Sequence, residues 1–122
     1  MAQKYIVNDI VMYKNRIHTI IDTLASNGYE LSYVRHPVSP VRLSGIPLTP
    51  EILEKNGWKD DGYDWYRLPT KRAYLYITKD ITTSGEFLVC VGLDRHNLAS
   101  INFVHQLQHL LFGLGLNSEM EV

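Results

Sequence analysis

A chain of 122 residues with 45% hydrophobic and 20% charged side chains has the make-up of one globular domain, or of two small subdomains sharing a core, and excludes a disordered adaptor. A formal charge of −1 excludes a global electrostatic pull toward nucleic acid or an anionic membrane, so any such binding has to be local. One cysteine excludes a disulfide framework and points to a reducing compartment, while eight tyrosines and two tryptophans supply flat apolar bodies with polar tips, a type favoured at interfaces as well as in cores.

The opening residues MAQKYIVND lack the apolar core of a secretory signal, so a cytoplasmic protein is expected. Residues 10–13 and 16–21 are β-prone and flank Lys14-Asn15, which has the length and composition of a tight hairpin loop. Asn27-Gly28 offers the positive backbone angles of a second hairpin turn before a strand expected at 29–34. Pro37 and Pro40 interrupt pairing, and residues 41–43 are expected as a last short strand. Short curved strands in close succession predict an SH3-like meander or barrel over residues 1–48.

Residues 49–58, TPEILEKNGW, carry the clearest local signal. Thr49 caps, Pro50 sits where a missing amide does no harm, and Glu51 and Glu54 favour the positive end of the helix dipole. Gly57 ends the turn and Trp58 is placed to pack back on Ile52 or Leu53. A connector helix over 49–56 is therefore expected. Beyond it Asp60-Asp61-Gly62 reads as a turn, and strands are expected at 63–68, 71–78 and 86–93, with a Pro69-Thr70 corner and a polar loop through Gly85. In the middle strand Ala73, Leu75 and Ile77 alternate with Arg72, Tyr74 and Tyr76, so one face is aliphatic and the other aromatic and basic.

Residues 100–115, SINFVHQLQHLLFGLG, form the longest periodic segment. Val104, Leu107, Leu111 and Leu114 repeat at helical spacing, Phe103 and Leu110 widen the stripe, Ser100 is the expected N-cap, and Gly113 or Gly115 the stop. The aliphatic sheet face is where this helix is expected to lie, with residues 117–122 fraying. The expected fold is α+β: residues 1–48 as an SH3-like subdomain, then a connector helix and a three-stranded antiparallel sheet covered by a C-terminal helix over 49–122, integrated as one domain.

Two groups of side chains stand out. Tyr63, Trp65, Arg67, Arg72, Tyr74 and Tyr76 interleave rings with cations, an arrangement that stacks bases and holds phosphates in single-strand binders. The preferred reading packs these rings against the N-terminal sheet, because so many on an open sheet would make an unusually large exposed patch. His105 and His109 lie one helical turn apart, a spacing that supplies two metal ligands, yet His18, His36 and His96 provide no recognisable further set, and Gln106 stands where a metalloprotease helix needs glutamate. The preferred reading is a polar helix face, with His105, Gln108 and His109 hydrogen-bonded to a neighbouring loop or a partner. Asp60, Asp61 and Asp64 do not match a calcium loop, Cys90 lies in an apolar run that would raise its pKa, and neither a phosphate loop nor a nucleophile elbow occurs. No catalytic residue, metal or cofactor is expected.

The segment LTPEILEKNGW followed by INFVHQLQHLLFGLG resembles a pattern in uncharacterised small proteins of phages, prophages and other mobile elements, in which a VHQLQ helix closes the chain. The resemblance covers about a quarter of the residues and transfers no activity. It implies expression inside a bacterial host, where small non-enzymatic proteins bind and block host factors or take part in assembly. The expected function is binding to a host or phage protein, with homo-oligomerisation; the competing expectation is a single-stranded nucleic-acid module on the aromatic and basic face.

Overall fold

The computed structural model describes residues 5–24, 28–71, 73–79, 86–92 and 94–122; Asn27, Arg72 and the expected loop at 80–85 lie outside them. Lys14 and Asn15 both take left-handed backbone angles, φ 49° and 62°, and this two-residue turn joins β1 (Ile10–Tyr13) to β2 (Arg16–Thr23). The twist of such a turn matches that of its strands. After β3 (Tyr29–Leu31) the chain turns at once through Tyr33, at φ 62°, so the strand is shorter than expected. Residues 40–42 form a 3-10 turn with Val41 89% exposed, and the last strand, β4 (Ser44–Gly45), follows it instead of occupying 41–43.

These strands pair antiparallel in the order β3-β2-β1-β4. The order is open: β3 and β4 are its edges, and the outer side of β3 is bridged to Val38 through Tyr29. Tyr5, Val11, Tyr13, Ile20, Tyr29, Leu31, Val38 and Leu43 form one buried cluster here.

The connector helix, α1 (Pro50–Lys55), starts and stops on its own sequence. Thr49 Oγ1 accepts from the Ile52 amide at 3.2 Å, Gly57 turns at φ 91°, and Trp58, 2% exposed, donates its amide to Leu53 O and joins Leu53 in the core. Five antiparallel strands then run in chain order: β5 (Lys59–Gly62), β6 (Trp65–Pro69), β7 (Tyr74–Lys79), β8 (Phe87–Val91) and β9 (His96–Ile101). The expected sheet had three. Asp60, Asp61 and Gly62 belong to β5, and the turn is made two residues later by Tyr63 and Asp64 at φ 54° and 65°. β9 occupies residues expected to lead into the helix.

The C-terminal helix, α2 (Val104–Gly113), accordingly begins four residues later than Ser100, which lies in β9. Gln106 supplies the N-terminal cap by reaching back: its Oε1 accepts from the amides of Asn102 at 2.7 Å and Phe103 at 3.0 Å. At the other end the amides of Leu116 and Gly115 bond to Leu111 O and Phe112 O, with Gly115 at φ 73°, the Schellman arrangement that glycine permits. Leu114 therefore falls outside the helix and is 45% exposed, whereas Val104, Leu107 and Leu111 are buried.

The main core lies between α2 and the aliphatic sheet face, where Leu75, Ile77, Phe87, Val89 and Ile101 meet Val104, Leu107 and Leu111. Ile10, Ile46 and Leu48 of the first half enter the same cluster. Residues 117–122 do not fray: Asn56 Nδ2 donates to Glu121 O and Asn56 Oδ1 accepts from the Glu121 amide, both at 2.7 Å, and Met120 is 9% exposed. No helix among the described residues is long and apolar enough to cross a membrane.

Candidate functional site

Strand register decides which side chains share the second face of the five-stranded sheet. Arg67 lies opposite Tyr76, Pro69 opposite Tyr74 and Trp65 opposite Thr78, so Trp65, Arg67, Tyr74 and Tyr76 all project away from α2. The rings do not pack against the N-terminal sheet, contrary to the preferred sequence reading. That sheet has its own core, and the residues in and after it that reach the larger sheet, Ile10, Ile46 and Leu48, join the cluster on the aliphatic side.

What replaces that packing is an array of rings and guanidinium groups on one surface. Arg95, in the β8–β9 turn at φ 51°, brings its guanidinium carbon to 4.4 Å from the Trp65 ring centre and 4.8 Å from that of Tyr76. The two rings stand edge to face at 84°, 6.4 Å apart, and form a corner around the cation. Arg67 lies 5.6 Å from Tyr74. Asp61 ties the array together, 3.7 Å from Arg67 Nε and 3.4 Å from Arg95 Nη2. Each exposed cation–π contact contributes about 0.5–1 kcal/mol and each surface ion pair about 1 kcal/mol or less, so the array fixes the shape of the face more than it stabilises the fold.

Tyr76 is 6% exposed beneath this array, Tyr74 43%, and Tyr63, at the β5–β6 turn, 98%. Arg72 lies outside the described residues. The sequence does not single out Asp61 or Arg95; Asp61 reads as part of a solvated turn, and it is the residue skipped at the β5–β6 register shift, joined to the array by its contacts with Arg67 and Arg95. Cys90 lies on the same face, opposite Tyr76 and beside Asn97 Oδ1 at 3.3 Å. Burial pushes its thiol pKa up, against a smaller downward pull from Arg95, which leaves a poor nucleophile.

The polar side chains of α2 face inward. Gln108 is 3% exposed; its Oε1 accepts from the Ile10 amide at 2.9 Å, and its Nε2 donates to Asn8 O at 2.9 Å and Ser118 O at 3.1 Å. His109 Nε2 lies 2.6 Å from Oδ2 of Asp9, and the same oxygen accepts from the Ile6 amide at 2.8 Å. Asp9 is 1% exposed, and burial raises its pKa despite the opposing pull of the Ile6 amide and of His109. His105 is 3% exposed, its ring edge-on to Tyr5 at 4.9 Å and stacked on Phe103 at 5.7 Å. Among the described residues no group of three or more His, Cys, Asp or Glu side chains is arranged to hold a metal ion. Asp9 carried no sequence signal, since its partner is 100 residues away.

A groove of about 1030 Å³ opens where the end of α2 and the C-terminal segment leave the sheet, with Trp58, Leu68, Leu75, Val91, Leu111 and Met120 among its lining. No family model, curated protein or solved structure matches the chain.

Proposed function

We propose that this protein is a non-enzymatic accessory module of a phage or mobile element, working in the bacterial cytoplasm, that binds a host or phage protein through the face built from Trp65, Arg67, Tyr74, Tyr76 and Arg95. The observation that carries the reading is the state of the cations. Arg95 already fills the corner between Trp65 and Tyr76, and Asp61 sits between Arg95 and Arg67, so among the described residues both guanidinium groups are engaged and the corner offers no open ring surface for a base. Tyrosine, tryptophan and arginine clustered around a part-buried centre are instead the residue types that anchor protein partners. The SH3-like reading of residues 1–48 belongs to the same proposal, as a scaffold of short strands joined to the binding sheet.

The competing reading keeps nucleic acid as the ligand, because Tyr74 leaves 43% of its surface open beside Arg67. A cross-linker at position 74 should capture a stoichiometric protein from bacterial lysate, and Tyr74→Ala and Arg67→Ala should each weaken that complex by about tenfold or more. Absence of a stoichiometric partner, or one indifferent to both substitutions, overturns the proposal. Quenching of tryptophan emission by single-stranded oligonucleotides that fades with salt would favour the competing reading.

A further inference from the structure

A second, smaller pocket of about 210 Å³ lies between residues 6–9, α2 and residues 116–119. It has several times the ~30 Å³ that one water molecule takes in the liquid, and less than the roughly 300–1,000 Å³ of sites for drug-sized ligands, so it suits a small group. Two acids line it, Asp9 and Glu119, and among the described residues no lysine, arginine or histidine does.

Asp9 is the unusual part of this wall. Its side chain is 2% exposed, and one oxygen, Oδ2, takes both the Ile6 amide and His109 Nε2. The other, Oδ1, receives no hydrogen bond from the described residues. A neutral imidazole donating Nε2–H satisfies Oδ2 but leaves the negative charge of the carboxylate to be met from elsewhere. The raised pKa of Asp9 reflects the same shortage, because burial outweighs the Ile6 and His109 bonds. Gln108 does not supply the missing donor, since its Nε2 gives its two hydrogens to Asn8 O and Ser118 O.

We infer that this pocket binds a primary alkylammonium group, which donates to Asp9 Oδ1 and faces the carboxylate of Glu119. The geometry selects an ammonium over other cations. A guanidinium uses both carboxylate oxygens for its planar fork, and Oδ2 is already taken. A metal ion needs more ligands, and the described residues hold no group of three or more His, Cys, Asp or Glu side chains placed for one. An ammonium is compact and brings an alkyl stem, for which Val7 and Phe112, 44% and 66% exposed, supply apolar walls. The stem belongs to a free amine or to a lysine of a protein, which share this chemistry. None of these residues is part of the aromatic face, so the inference does not depend on what that face binds.

Titration of the full chain with n-butylammonium tests it, followed by magnetic resonance at the Ile6 backbone amide and the Gln108 side-chain amide. Both signals should shift and saturate, with a dissociation constant of about 1 mM or below. n-Butanol and n-butylguanidinium keep the stem and change the head, and should bind about tenfold more weakly or not at all. Asp9→Asn keeps an oxygen for Ile6 and His109 but puts an amino group where Oδ1 stood, so it should abolish the response. Glu119→Gln, at an exposed position, should weaken binding about threefold with the fold intact. Tighter binding of Nα-acetyl-lysine amide than of n-butylammonium supports the site with a protein lysine as its source, and the reverse order supports it with a free amine. A pocket holding only water, seen as no saturable shift, overturns the inference, as does an equal response to n-butanol or an unchanged response in Asp9→Asn.

Discussion

Asp9 carries a carboxyl group held in a buried place. Its carboxyl is 1% exposed, yet one oxygen is held by the Ile6 amide and by His109, and burial outweighs both and leaves its pKa above the ordinary 3.8. A group that binds protons more tightly folded than unfolded stabilises the fold most below its unfolded pKa, and that contribution is lost as pH rises through the folded pKa. Relative to Asp9→Asn, whose carboxamide oxygen can still accept from both donors but which stays neutral at every pH, the wild type should therefore be most stable in acid, and its advantage should shrink as pH rises through that window. Urea melts of both proteins from pH 3 upward check the sign; a gap that widens with pH contradicts it. The conflict was invisible in the sequence, where Asp9 is an ordinary acid near a strand and His109 an ordinary polar residue on a helix.

At the scale of elements, local chemistry was legible and long-range pairing was not. Lys14-Asn15 and Thr49-Pro50 announce a hairpin and a helix start because turns and caps are settled within a few residues. The alternation of Leu75 and Ile77 with Tyr74 and Tyr76 likewise assigned the two faces of β7. β9 was hidden because HNLASI has no turn signal separating it from the helix, and the cap that starts α2 comes from a glutamine inside it. The sequence marks His105, Gln108 and His109 as a polar helix face hydrogen-bonded to a neighbouring loop or a partner, but it does not name the partners of Gln108 and His109, Asn8, Asp9 and Ile10, because they lie about a hundred residues earlier. The aromatic face is recognisable from residue types, while Arg95 and Asp61, which organise it, come from a turn and from a residue skipped in the strand register and enter only through tertiary contacts. The helix boundaries make a direct prediction: Leu107→Ala, fully buried, should cost about 2–5 kcal/mol, and Leu114→Ala, past the last helical turn and 45% exposed, about 0.5 kcal/mol or less. Thermal or urea denaturation of the two variants measures the contrast, and equal losses would refute the assignment of the stripe.

For the whole molecule the question is whether two buried clusters make one folding unit. Ile10, Ile46 and Leu48 come from the first half of the chain but belong to the core under α2, while Val11 and Tyr13, their neighbours on β1, point into the other cluster. A single strand thus feeds both cores through its alternating sides. Unfolding should be one cooperative transition, with far-ultraviolet dichroism, tryptophan emission and tyrosine absorbance changing at the same urea concentration. Separated midpoints would mean that the halves fold independently.

The three hydrogen bonds of Gln108 carry this coupling into the order of events during synthesis. Asn8 and Ile10 are made first, and the glutamine that completes their bonding is added 100 and 98 residues later. At elongation rates of about 5–20 residues per second, several seconds or more separate the two events. The shared core is therefore sealed only once α2 has been made.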